Sequence, residues 1–499
     1  MESDWKGGAV QMLEDREFEG YWWRPSDPEN KVPGTLKFSQ SDVRLDLLGS
    51  FEGIKPGPIG HVDDEPRILG LSKDRKEITL ERCLALGQSI NIPGFSVTTY
   101  GPHTVLVGAW YEPNEEVRFD EVYVRFSDLD TWAVSSGFGY QMHFDAEGKS
   151  VTKLDVSYTP PEAVEVPLDE NTSLSITWAW TWSGLKQVTT ETRLGQAASF
   201  KVSFAEGATL ERCLEYVGQL RNFLSLSVGR PIQVLSVSGV HNPPEDAEPD
   251  PFAKLPSQRR SVEVLYRLVS PQEEAGRELY VHEMLFSLGD AYPRLQEIFQ
   301  AWFERQEIFG PVFNRYFYIV HNQHMTGEIQ FESYVRALET YHRRSTDATD
   351  IPPEEHEARL SAILSSVPAE HDDWLEKKLK YSNELSLARR LKKTLARCPS
   401  VTDRLIGGSR DEKRAFVRKV VTTRNYEIHL DPDNEEEAAI GVELAVLVYQ
   451  LRTLVEMTLL LDLGFSGEDM DGIFDRIRRY EQVDHLKRAA EEEKDEVPA

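Results

Sequence analysis

The segment Phe416-Val-Arg-Lys-Val-Val-Thr-Thr-Arg-Asn-Tyr-Glu-Ile-His429 decides how the second half of this 499-residue chain is built. Its apolar residues recur at helical spacing, predicting a helix that begins near Asp411. One column along that helix is Phe416, Val420, Arg424 and Ile428. The neighbouring column is Val417, Val421, Asn425 and His429. Both are apolar for two turns, and Arg424, Asn425 and His429 then continue the stripe, so these three are expected to face protein rather than water. Burying a guanidinium without partners is costly, so something must engage it. Asp431-Pro432 should end the helix. That leaves His429 at a helix C-terminus, where the last carbonyls favour a protonated imidazole.

These residue types suit phosphodiester chemistry. An arginine fork holds phosphate oxygens and stabilises charge developing on them. A histidine near neutrality moves a proton to or from a hydroxyl. Asn425, one turn before His429, can orient either group. The alternative is an Arg and a His that only satisfy helix-end carbonyls or an ion pair. Charge bears on the choice. The chain has a net charge of −28, which excludes adhesion to nucleic acid by overall charge. Yet residues 374–424 hold 15 Lys and Arg against 5 Asp and Glu. A helix expected over Asp372–Arg397 places Tyr381, Leu385, Ala388, Leu391 and Leu395 on an apolar side, and Arg389, Lys393 and Arg397 in a column on another. Arg418 and Lys419 add to this band from the motif helix. A local basic band is what an RNA-binding groove needs; a solvated basic face paired to acidic residues is the competing explanation.

Towards the N-terminus, short apolar runs such as Val105-Leu-Val-Gly-Ala-Trp110 and Val122-Tyr-Val-Arg-Phe126 alternate with turn residues, so about Phe18 to Val240 reads as β-rich. Trp178, Trp180 and Trp182 would share one face of a strand, which is more readily a buried sheet face than a platform for stacking bases or sugars. Leu210 to Leu226 has helical spacing. The hexapeptide Thr-Leu-Glu-Arg-Cys-Leu occurs at Thr79–Leu84 and Thr209–Leu214, with flanks too different for a duplication. Prolines between Pro243 and Pro256 mark a linker or long loop. Helices are expected over Leu279–Leu288, Pro293–Ile308 and Phe331–Arg344, followed by a break from Ser345 to Glu355. Ile440–Leu463 is the most apolar stretch, but Glu443, Gln450, Arg452 and Glu456 within it argue for a buried helix and no membrane span. The three cysteines, Cys83, Cys213 and Cys398, form neither a disulfide framework nor a zinc cluster. With no signal-peptide pattern in Met1–Gly20, a bacterial cytoplasmic location is expected.

The run from Phe416 to His429 resembles the signature helix of HEPN domains, defined by an Arg and a His four to six residues apart, often with a polar residue directly after the Arg. Asn425 fills that place. The stretch Glu436–Leu463, closed by Gly464, resembles the helix that follows the motif, and Arg336-Ala-Leu-Glu-Thr-Tyr-His-Arg343 resembles the opening helix of the ApeA-like subgroup. The front of the chain is similar to ApeA proteins as well, through Phe18-Glu-Gly-Tyr-Trp22, Gly34-Thr-Leu36, Ile68-Leu-Gly-Leu71, Ile78-Thr-Leu80 and Leu129-Asp-Thr-Trp132. The resemblance implies a metal-independent endoribonuclease in bacterial abortive infection, with Arg424, Asn425 and His429 catalytic. It also implies transfer RNA as a target, a homodimer through the helical domain, and an antiphage role with a phage-encoded trigger.

The expected fold is therefore multidomain α+β: a β-rich N-terminal domain over 1–242, a Pro-rich linker and connecting helices over 243–325, an all-α HEPN bundle over 326–490, and an acidic tail over 491–499. Arg389, Lys393, Arg397, Arg418 and Lys419 are the expected RNA-binding residues. No cofactor or metal is expected: nucleotide-binding loops are missing, and His321 and His324 lack a second ligand pair. Glu339, His342 and Arg343 form an expected surface ion-pair cluster on one helix. A non-catalytic sensor or scaffold that binds RNA or protein is the rival function.

Overall fold

Period-two alternation through the first hundred residues closes a barrel around one indole. The computed structural model describes residues 12–52, 63–89, 96–184, 190–241, 260–267, 279–322, 324–429 and 435–477, the side chains of 307, 308, 369 and 429 excepted. The chain divides into two compact units, 1–296 and 297–499. In the first, β1 (Arg16–Arg24), β2 (Asp27–Phe38), β3 (Val43–Leu48), β4 (Glu65–Ser72), β5 (Glu77–Ser89) and β6 (Val97–Val107) pair in the order β6-β3-β2-β1-β4-β5. β5 returns to pair with β6 from Ile78↔Val107 to Ser89↔Val97, which shuts the ring. Phe18, Trp22, Leu36, Leu45, Ile68 and Leu80 are buried. Trp22 needs two glycines: a Cβ at Gly70 would lie 2.3 Å from its ring and one at Gly34 3.1 Å away. Two of the short sequence motifs at the front of the chain therefore exist to seat a third.

β6 also carries the sheet outward. Beyond β7 (Arg118–Phe126), α1 (Leu129–Ala133), β8 (Phe138–Phe144), β9 (Val151–Tyr158), β10 (Val164–Pro167), β11 (Thr172–Trp182), β12 (Leu194–Thr209), α2 (Leu210–Val228), β13 (Val234–His241) and β14 (Arg260–Tyr266), the order runs β6-β14-β13-β7-β12-β11-β10. β14 takes the Thr104–Val107 end of β6, leaving the Val97–Tyr100 end to β3. Strand pairing thus extends past residue 242, across a Pro-rich stretch that lies outside the described residues. Thr209 caps α2 by accepting from the Arg212 amide at 3.2 Å. Phe223 of that helix meets Trp132 of α1, which also meets Phe200 of β12. β8 and β9 form a separate two-stranded sheet.

Two expectations fail here. Leu279–Leu288 is not one helix: a 3-10 turn at Val281–Glu283 gives way to extended backbone, and α3 (Leu288–Ala291) starts anew. Ser287 and Asp290 form a capping box, which resets the helix start. The tryptophan row is not a covered sheet face either, since Trp180 and Trp182 are 48% and 52% exposed.

The second unit is helical: α4 (Leu295–Glu304), α5 (Gln306–His321), α6 (Gly327–Ser345), α7 (Pro353–Leu364), α8 (Asp372–Leu379), α9 (Leu387–Leu395), α10 (Pro399–Leu405), α11 (Arg410–His429), α12 (Gly441–Asp462) and α13 (Gly467–Arg476). α6 packs against α5, α9, α11 and α12 through buried Phe331, Tyr334, Val335 and Leu338. The helix expected over Asp372–Arg397 is broken between α8 and α9. Ser386 starts α9 by accepting from the Arg389 amide, and the Asn383 side chain ties the break to Ile351. Tyr381 is consequently exposed instead of lining the apolar side. α12 is long and apolar enough to cross a membrane, yet most of its apolar side chains are buried inside the unit. Glu456, fully buried, accepts from Arg452 at 2.9 Å and from the Tyr316 hydroxyl at 2.8 Å. Gly464, at φ +92°, ends the helix: its amide reaches Leu461 O, and the Phe465 amide reaches Leu460 O.

Candidate functional site

Ser409 and Glu412 start α11 reciprocally. The Ser409 amide donates to Glu412 Oε2 at 2.9 Å and the Glu412 amide to Ser409 Oγ at 3.1 Å. The buried face that follows is Phe416, Val417, Val420 and Thr423. A straight helix turns 3.6 residues per revolution, so a four-residue column drifts by about 40° at each step. The column of Phe416 and Val420 therefore carries Arg424 to the flank of the buried face, and Val421 and Asn425 are only half-buried. Thr423 replaces them at the core. It is fully buried, and its Oγ1 accepts from the Ala439 amide at 2.9 Å, tying α11 to the approach to α12. Arg424, Asn425 and His429 were expected to continue the buried stripe; Arg424 and Asn425 instead lie at its half-open edge.

Arg424 is half-buried and forms no ion pair among the described residues. Its Nη1 donates to Asn425 Oδ1 at 3.3 Å, a weak tether between sequence neighbours. His429 is the last residue of α11; its side chain, and Asp431-Pro432 beyond it, lie outside the described residues. Glu427, one turn after Thr423, is half-buried. Burial pushes its carboxyl up, and the charges of Glu328 and Glu332 on α6 push it further. Neither Thr423 nor Glu427 was singled out from the sequence, although Val420–Thr423 at three-residue spacing was the signal for the first.

The basic residues separate into engaged and open ones. Arg389 pairs with Asp350. Arg397 donates to Asp462 Oδ1 at 2.9 Å and to the Tyr341 hydroxyl. Lys419 reaches Glu443 at 3.2 Å and Glu437 O at 2.9 Å. Lys393 and Arg418 are exposed. Arg390, which the sequence reading passed over, is the buried member of α9: it bonds Leu385 O at 2.9 Å and approaches His342 Nδ1 at 3.4 Å. His342 is thus buried, and the expected surface cluster reduces to Arg343 with Glu339 and Glu384. Burial, followed by the Arg390 and Lys393 charges, holds the His342 imidazole below its ordinary pKa. No group of three or more His, Cys, Asp or Glu gathers as a metal site among the described residues.

Comparison with known families gives two matches. Residues 17–302, more than half of the chain, match the ApeA N-terminal domain 1, and residues 332–469 match the Apea-like HEPN domain. The chain belongs to the ApeA family. No curated protein and no solved structure matches it. The ApeA N-terminal match takes in the barrel and the sheet that extends from it. The HEPN match runs from within α6 to the first turn of α13 and holds Arg424, Asn425 and His429. HEPN domains are a family of ribonucleases, often in defence.

Proposed function

We propose that this ApeA-family chain is a metal-independent endoribonuclease of antiphage abortive infection, cutting RNA by attack of its own 2′-hydroxyl. The observation that carries the proposal is Arg424, half-buried at the edge of the α11 core, with no ion pair among the described residues and only Asn425 as a tether. A half-desolvated guanidinium with no counter-charge among the described residues is well matched by a ligand that brings one, and a phosphate does so through two parallel hydrogen bonds.

In the reaction, the 2′ oxygen bonds to phosphorus and the bond from phosphorus to the 5′ oxygen breaks. A base takes the 2′ proton, and an acid gives one to the departing 5′ oxygen. The products carry a 2′,3′-cyclic phosphate and a 5′-hydroxyl. His429 moves one of those protons, Arg424 stabilises the charge on the phosphorane-like centre, and Asn425 positions Arg424. One histidine cannot stand on both sides of the phosphorus, so the active form is a homodimer whose two motifs meet across the helical units. Arg418 and Lys393, both exposed, supply backbone contacts, and Arg389, Arg397 and Lys419 add to the field around them. Transfer RNA is the proposed substrate, in the bacterial cytoplasm. The β-rich unit acts as sensor or restraint and responds to a phage-encoded trigger.

The test is expression of the full chain beside its His429→Ala and Arg424→Ala variants, with sequencing of RNA ends. The wild type should arrest growth and accumulate RNAs ending in 2′,3′-cyclic phosphate, and neither variant should. Equal arrest and equal cleavage by a folded His429→Ala chain would refute the catalytic assignment, and arrest with no cleavage by any of the three chains would favour a scaffold.

A further inference from the structure

The β8–β9 hairpin pairs in register from Phe138↔Tyr158 to His143↔Lys153, with Tyr140 opposite Val156 and Met142 opposite Leu154, before the register shifts at Phe144. Period two then sorts its side chains strictly. Phe138, Tyr140, Met142 and Phe144 of β8 share one face with Leu154 and Val156 of β9, and all six are exposed, Tyr140 to 76% and Val156 to 60%. The charged residues take the other face, where His143 and Lys153 both contact Asp155, at 2.9 and 2.7 Å. The hairpin is anchored at its base by Gln196 of β12, which accepts from the Gly137 amide at 2.9 Å and donates to Ser135 O at 2.8 Å. Its apolar face also runs on into the main sheet. Phe138 meets Tyr158, Tyr158 meets Trp180, and Trp182 follows two residues later on the same strand.

With 150–250 Å² for each aromatic side chain and somewhat less for Met142, Leu154 and Val156, the exposed part of this surface comes to roughly 600–900 Å². A typical monomer's largest apolar patch is about 300–600 Å², whereas each partner in a standard protein interface contributes about 800 Å². A two-stranded sheet with a naked apolar face is marginal in water and calls for a second layer. We propose that this second layer is the same hairpin of another copy of the chain, the two faces stacked about a two-fold axis. The face is apolar and free of charged side chains, so a second copy of it is a chemically matched partner. Chains of net charge −28 repel at long range, and they meet at least cost through a face that holds no carboxylate. RNA is a poor occupant, since the face has no Arg or Lys interleaved with its aromatics. This contact is separate from the proposed meeting of HEPN motifs and does not depend on the nuclease assignment.

The three native cysteines are buried, so a thiol placed on the hairpin is the reactive one. In the full-length chain, Val156→Cys with a short bis-maleimide should give a covalent species of twice the mass, whereas Gln141→Cys, on the charged face, should not. The Leu154→Lys/Val156→Lys chain should lose one association step by light scattering, halving its mass at equal concentration with an unchanged circular dichroism spectrum. Because the driving force is apolar and the chains repel, wild-type association here should strengthen with added salt. The proposal is overturned if Val156→Cys labels with a monofunctional maleimide yet gives no crosslinked dimer. It is equally overturned if Gln141→Cys crosslinks as well, or if the double variant keeps the wild-type mass. A wild-type chain that is monomeric at tens of micromolar also ends it and leaves the face to a different protein.

Discussion

The arginines in and just after α9 and Arg424 of α11 look alike in sequence and differ in how they are held. Arg389 has Asp350, Arg390 has Glu384 and the Leu385 carbonyl, and Arg397 has Asp462 and Tyr341. Among the described residues, Arg424 has one long bond to its neighbour's amide oxygen. A guanidinium with a carboxylate already in its fork contributes to the fold. One with an empty fork at the rim of a core is poised for a ligand. A density of positive charge in a sequence does not separate the two; the partners do.

Substitution should make the contrast measurable. Arg424→Ala should cut RNA cleavage by at least about 10²-fold, the scale for losing one donor to a developing oxyanion. Its thermal midpoint should stay near wild type, because a half-buried residue with no ion pair among the described residues contributes little to stability. Arg397→Ala should do the reverse. It strips a partner from the largely buried Asp462, at a cost of about 1–3 kcal/mol, and lowers the midpoint by several degrees in thermal melts while the folded protein keeps most of its cleavage. An Arg397→Ala chain that melts like wild type but no longer cuts would reverse the assignment of the two groups.

Acid should weaken the α6–α9 contact. His342 has its pKa lowered by burial and then by Arg390 and Lys393. A folded-state pKa below the unfolded one gives stability that is fully present above the unfolded value and is lost as pH falls through the folded value. The helical unit should therefore lose stability below about pH 6.5, and His342→Gln should flatten that part of the pH profile in denaturant melts. A profile unchanged by the substitution would mean that the imidazole is solvated. The smallest effect is expected at Glu427, whose pKa is raised by burial and by Glu328 and Glu332. Its stabilising contribution is present below the usual carboxylate range and lost as pH rises. Glu427→Gln should give a small upward shift of the thermal midpoint at pH 7 that disappears near pH 4. A downward shift at pH 7 would show that the carboxylate has a cationic partner.

The fold was legible where local chemistry and packing agreed. Short apolar runs separated by turn residues predicted the β-rich half, and helical spacing predicted α2, α6 and α11. It was not legible where context decides. Thr-Leu-Glu-Arg-Cys-Leu is strand at Thr79–Leu84 and the capped start of a helix at Thr209–Leu214, because strand pairing with β4 holds one and the Thr209 cap starts the other. Closure of the barrel also needs β3 to meet β6, with Leu48 opposite Val97, a long-range pairing that no local pattern announces. At the site, residue types and spacing pointed to Arg424 and Asn425, but the four-residue columns overestimated their burial, since the drift of a real helix was not followed. The carboxylates that occupy Arg389 and Arg397 lie far away in sequence, at Asp350 and Asp462, so charge counting could not find them.

The central claim is that Arg424 and His429 cut RNA without a metal. Its most direct test is to incubate purified full-length chain with total transfer RNA in excess EDTA, beside Arg424→Ala and His429→Ala, and to identify the new ends. Cleavage by the wild type alone, leaving 2′,3′-cyclic phosphate and 5′-hydroxyl ends, is the predicted result. Activity that stops on chelation and returns with Mg²⁺ or Mn²⁺, or ends bearing a 5′-phosphate, would contradict it.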